Sequence, residues 1–71
     1  MRNKQIVALF GKRLRKLRVA HGMSLDMLAR ESGLTKCMLS RIENSLSIPS
    51  LQTLVRIADV FGFSISKLID D

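Results

Sequence analysis

Hydrogen-bonding side chains concentrate in one short stretch of this chain. Lys36, Cys37, Ser40, Arg41 and Asn44 are interleaved with the apolar Met38, Leu39 and Ile42. On a helix, Leu39 and Ile42 turn to one side, leaving Cys37, Ser40, Arg41 and Asn44 on the other and Lys36 at the N-terminal tip. The chemistry such a row supports is recognition. An arginine fork donates two hydrogen bonds to the O6 and N7 of a guanine, worth roughly 1–3 kcal/mol of base discrimination. A lysine reaches the same acceptors less rigidly or touches a phosphate. Ser40 donates or accepts, and Cys37 offers a weak polar contact or an apolar one to a thymine methyl. The plainer alternative is an ordinary solvated helix face.

Bond-making chemistry has few residues to work with. His21 is the only histidine and Cys37 the only cysteine. No paired carboxylates, Gly-rich phosphate loop or Cys-x-x-Cys motif occurs. One cysteine and one histidine build neither an internal disulfide nor a structural zinc site. The sequence therefore predicts a non-enzyme with no metal and no cofactor. A redox role for Cys37 is the minor reading, and His21 reads as an amphipathic residue at a helix end.

The elements that must position the polar row follow from the punctuation. Ile6, Phe10, Leu14, Leu17 and His21 recur at steps of three and four, which predicts a helix over about 4–20 with Gly22 after its end. Gly11 inside it costs about 1 kcal/mol relative to alanine. Ser24 N-caps a second helix over 25–32, with Asp26 well placed in its first turn and Leu28 and Ala29 inward. Gly33 ends it. Thr35 caps a third helix over 36–44, and a loop from Ser45 through Ile48 closes at Pro49. Ser50 starts a fourth helix over 51–61, with Leu51, Leu54, Val55, Ala58 and Phe61 inward and Gly62 at its end. A short fifth helix, 65–70, carries Ile65, Leu68 and Ile69. Met23, Met27 and Met38 read as core filler, because methionine fits irregular gaps. No stretch alternates with period two for long enough to suggest a strand, so the predicted class is all-α, one domain over 1–71.

One spacing is more specific than the rest. Only Gly33 and Leu34 separate the second helix from the Thr35 cap of the third. So short a turn makes the two helices cross steeply and pack closely. Close packing requires a small residue at the contact and a residue tolerant of positive φ in the turn, supplied by Ala29 and Gly33. Leu34, Leu39 and Ile42 then seal the pair onto the core. This is a helix-turn-helix.

With those residues in view, a resemblance emerges. The run Gly22-Met23-Ser24-Leu25-Asp26-Met27-Leu28-Ala29-Arg30-Glu31-Ser32-Gly33-Leu34-Thr35-Lys36 resembles the xenobiotic-response-element family of lambda-repressor-like DNA-binding domains. So do Leu39-Ser40-Arg41-Ile42-Glu43-Asn44, Pro49-Ser50-Leu51 and Ile57-Ala58-Asp59-Val60-Phe61-Gly62, and the likeness extends over roughly Phe10 to Ile69. It implies a compact five-helix fold and a transcription regulator, usually dimeric, that inserts its third helix into the major groove of double-stranded DNA. It also implies a structural ion pair between Arg18 and Glu43. Arg18 itself lies about 80° from Phe10 at 100° per residue, at the edge of the apolar face of its helix. The family usually has a glutamine where this chain has Leu25, and a basic loop where Ser45, Leu46, Ser47 and Ile48 carry no charge.

Charge and surface complete the expectation. The net charge is +6 over 71 residues, of which 46% are hydrophobic. Residues 1–22 hold seven basic groups and no acid, whereas residues 23–44 hold three of each. The excess thus sits on the first helix, suited to long-range attraction and phosphate contact through Arg2, Lys4, Lys12 and Arg13. Ser24, Thr35 and Ser50 mark helix N-termini, whose free N–H groups favour an anion. Leu46, Ile48, Phe63, Ile65 and Ile69 offer apolar surface for either a dimer interface or core packing. The longest apolar run, Ile6 to Phe10, is too short for a membrane span or signal peptide, so the expected location is cytoplasmic. The leading expectation is a homodimer on a two-fold operator: a phage-type repressor, a restriction–modification controller or an antitoxin-like autoregulator. A regulatory protein partner is a further expectation. The alternative is a protein-interaction module on the same scaffold, an antitoxin or anti-repressor without specific DNA binding.

Overall fold

A computed structural model describes the backbone of residues 3–69 and side chains from residue 8. The expectations placed on Arg2, Lys4 and Ile6 concern side chains outside that range. Five helices follow one another: α1 (Asn3–Ala20), α2 (Leu25–Ser32), α3 (Lys36–Glu43), α4 (Leu51–Phe61) and α5 (Ile65–Ile69). No strand occurs among the described residues.

The helix starts are set by hydroxyls. Ser24, Thr35 and Ser50 hold extended backbone, and their oxygens accept from the N–H groups of Met27, Met38 and Thr53 at 3.1, 3.1 and 3.2 Å. Each satisfies one of the donors that a helix start leaves unpaired. The ends of α1, α3 and α4 close by the paired bonds of a Schellman turn. For α3 these are Leu46 N–H to the Arg41 carbonyl at 2.8 Å and Ser45 N–H to that of Ile42 at 3.1 Å. At this end the left-handed position belongs to Ser45, with φ 61°.

Leu14, Leu28, Leu39, Ile42, Ile57 and Leu68 are the fully buried side chains, drawn from every helix, with Phe10, Met23, Ala58 and Phe61 around them. Helix α3 packs against α1 and α2, α4 against α2, and α5 against α4. Several expectations about inward faces are corrected. Met27 and Met38 stand in solvent, leaving Met23 as the methionine of the three that enters the core. In α4, Leu51 and Val55 are exposed and Ile57 is buried. Its inward stripe runs Leu54, Ile57, Phe61, and apolar residues almost all round this helix fit the rival stripe equally well. His21 is exposed at the end of α1, with Nδ1 2.8 Å from the Leu17 carbonyl oxygen and its ring edge-on to Phe61 at 4.9 Å between centroids.

Candidate nucleic-acid interface

The turn between α2 and α3 is what aims the polar row. Gly33 adopts φ 73°, ψ 21°, a left-handed conformation that side chains disfavour, and Leu34 N–H closes the helix on the Ala29 carbonyl at 3.1 Å. Two residues later Thr35 starts α3. Leu39 and Ile42 are buried at 0% and 1% exposure, which fixes the rotation of α3 about its axis. Lys36, Cys37 and Arg41 are therefore exposed together, Ser40 is half-buried beside them, and Met38 also reaches solvent.

Two members of the row have partners that the sequence did not disclose. The Lys36 ammonium lies 3.6 Å from the Asp26 carboxylate, linking the first turn of α3 to that of α2. Helix α3 stops at Glu43, one residue short of the expected end, and Asn44 is its C-cap. Its side-chain amide donates to the Ser40 carbonyl at 2.8 Å and, at 3.4 Å, to the Ser40 hydroxyl. Asn44 thus caps α3 with its own donors, which a base edge would have to displace.

The polar row is braced from behind. Arg18 Nε and Nη2 donate to the two carboxylate oxygens of Glu43 at 2.7 and 3.0 Å, a paired fork, and Nη1 donates to the Met23 carbonyl at 2.9 Å. The two side chains retain only 14% and 5% exposure. The hydrogen bond to Glu43 raises the Arg18 pKa above its ordinary value, opposed by burial and aided by the carboxylate's charge. One arginine thereby holds the end of α1, the end of α3 and the segment leading into α2 in a fixed relation.

Sequence reasoning missed two other contacts that set this geometry. Gly11 is a point of close approach: a Cβ there would stand 2.6 Å from the Ile42 carbonyl oxygen and 2.9 Å from that of Glu43. Spacing alone reports only its poor helix propensity. Arg13 turns toward α5, donating from Nε to the Leu68 carbonyl at 2.7 Å and from Nη2 to that of Lys67 at 2.9 Å. This half-buried guanidinium anchors α5, a role that the sequence did not disclose. Lys12 remains exposed on α1.

The apolar residues expected at an interface divide. Leu46 and Ile48 are 66% and 68% exposed, and Ile69 is half exposed. Phe63 packs against the core, its ring 6.2 Å from that of Phe61, and Ile65 is half-buried. The exposed Leu51 and Val55 on α4 lie one turn apart, a few residues after Ile48 in the chain.

No helix among the described residues is long and apolar enough to cross a membrane. The helix-turn-helix family profile matches residues 14–68, from the core of α1 to the buried residue of α5. The transcriptional regulator SinR of Bacillus subtilis is 36% identical over 64 residues, covering 89% of this chain and 58% of SinR. The chain thus spans little more than half the length of that relative. The restriction–modification controller protein C.AhdI of Aeromonas hydrophila superposes with a TM-score of 0.83 at 32% identity, covering 87% of this chain and 94% of that one. SinR solved in complex with DNA superposes at 0.80 with 37% identity, covering 86% and 98%. A further SinR structure holds it together with the SinI protein. On the match over residues 14–68 and the likeness to these regulators, the chain belongs to the helix-turn-helix family.

Proposed function

We propose that this protein is a sequence-specific double-stranded DNA-binding transcription regulator that inserts α3 into the major groove as a homodimer. The observation that carries this reading is the row of exposed Lys36, Cys37 and Arg41, with Ser40 half-buried beside them, on a helix locked in rotation by Leu39 and Ile42 and braced by the Arg18–Glu43 pair. Arg41 is the principal reader, by a fork to a guanine. Lys36 and Ser40 supply further donors, and Cys37 an apolar or weakly polar contact. The N-termini capped by Ser24, Thr35 and Ser50, with Lys12 and the basic residues before it, take phosphates. Asn44 keeps the last turn of α3 in shape.

Two copies are argued from size. The body measures 31 × 23 × 22 Å and carries one recognition helix, whereas successive major-groove faces are about 34–36 Å apart. Leu46, Ile48, Leu51 and Val55 form the proposed contact between copies, with Ile69 as a second apolar position. The likeness to C.AhdI and to SinR favours a controller or repressor role within the xenobiotic-response-element group, in the cytoplasm. The SinR–SinI complex supports a regulatory protein as an additional partner.

The test is selection of bound sequences from a random duplex pool, with affinity then measured against salt. A two-fold consensus with half-sites about one helical turn apart, and a steep salt dependence, is the expected result. Retention of no DNA even at low salt would overturn the reading in favour of a protein-interaction module.

A further inference from the structure

Lys36 and Asp26 join the two helices of the helix-turn-helix at the end where α3 begins. Both are well exposed, at 61% and 68%, so their pairing adds little to stability. Its position matters more. We propose that Asp26 is a specificity determinant of this interface: by pairing with Lys36 it cancels that lysine's attraction to phosphate while leaving it able to donate to a base. The proposal rests on the DNA-binding reading above and concerns how the same surface discriminates.

The argument is one of charge against direction. Attraction to the phosphate backbone is undirected, scales with the number of lysines and arginines free to neutralise phosphates and carries no sequence information. A lysine whose ammonium lies 3.6 Å from a carboxylate meets the DNA as part of a nearly neutral pair, and so releases fewer counterions than a lone lysine would. Its ammonium nevertheless carries three N–H donors, and one partner cannot use them all. Lys36 is thereby withdrawn from the sequence-independent part of binding and kept in the sequence-dependent part. The charge distribution agrees, because residues 23–44 are neutral overall while residues 1–22 hold seven basic groups and no acid. The grip comes from α1, and the reading comes from a neutral unit. An unpaired lysine at position 36 would reach a phosphate at any non-specific site, whereas at the operator it is already committed to a base, so bulk DNA gains more and the gap narrows.

The experiment measures affinity against potassium chloride concentration for the full chain and three variants: Asp26→Asn, Lys36→Met and the double variant. Two probes are used, the consensus duplex selected by the wild-type protein and a random-sequence duplex pool of the same length. Asp26→Asn is expected to tighten binding to the random pool about fivefold per protomer near 0.15 M salt and to steepen the log–log slope by about 0.9 per protomer. The consensus-to-random ratio falls accordingly. On the Lys36→Met background the same substitution changes neither slope nor ratio. A slope unmoved by Asp26→Asn, or steepened equally with and without Lys36, overturns the proposal. Failure of the wild-type protein to retain either probe overturns instead the reading on which it rests. Thermal melting of each variant, expected to match the wild type at these exposed positions, separates both outcomes from misfolding.

Discussion

At Gly11 the backbone of α1 comes so near the end of α3 that the first atom of any side chain would meet two main-chain carbonyl oxygens. Backbone cannot swing aside as a flexible side chain can, so the helix-stabilising substitution is here the damaging one. Gly11→Ala is expected to destabilise the protein by about 1–3 kcal/mol, despite alanine's better helix propensity. In a domain of this size that lowers the melting temperature by roughly 4–8 °C per kcal/mol, read by circular dichroism; a higher melting temperature would mean that helix propensity decides. The Arg18–Glu43 fork makes a second prediction at this scale. Glu43→Ala leaves a largely buried guanidinium without its carboxylate, and a loss of roughly 2–4 kcal/mol is expected in urea unfolding. Unchanged stability would remove the pair from the account of how α3 is held. Both positions were only partly legible in the sequence. Arg18 sits at a wheel angle that allows a contact, and the family resemblance named its partner. Gly11 and Arg13 gave no such sign, because their partners are carbonyl oxygens contributed by distant turns.

The helices themselves were readable because their ends are chemical. Ser24, Thr35 and Ser50 accept from the N–H three residues on, and Gly33 takes the left-handed conformation that the tight turn demands. Where an element is apolar nearly all round, that legibility fails. Helix α4 offers Leu51, Leu54, Val55, Ile57, Ala58, Val60 and Phe61, and only packing selects which stripe is inward. The outcome leaves Leu51 and Val55 exposed in the stretch that also exposes Leu46 and Ile48. An apolar set of this kind on so small a body is the surface expected of an interface. The double variant Leu46→Asp with Leu51→Asp is expected to keep its helical content, since both side chains are exposed, and to sediment as a monomer at concentrations where the wild type is a dimer. Its affinity for a two-fold site falls at least tenfold, as binding of two linked half-sites becomes binding of one. Identical sedimentation of variant and wild type would exclude this face as the interface.

At the scale of the whole molecule, the proposed function places attraction and reading on different elements. The basic excess belongs to residues 1–22, and the segment that turns a polar row outward carries no net charge. A change in the row should therefore alter which sequence is bound more than how strongly salt weakens binding, and Arg41 is the side chain on which that separation turns. The most direct measurement is selection from random duplex DNA, run in parallel with the wild-type protein and with Arg41→Ala, followed by affinity against salt for each. Arg41→Ala is expected to lose the preference for guanine at one position of each half-site, a discrimination of roughly 1–3 kcal/mol, while preferences elsewhere persist and the salt slope changes by less than about one per protomer. Recovery of the same consensus by both proteins would contradict this expectation.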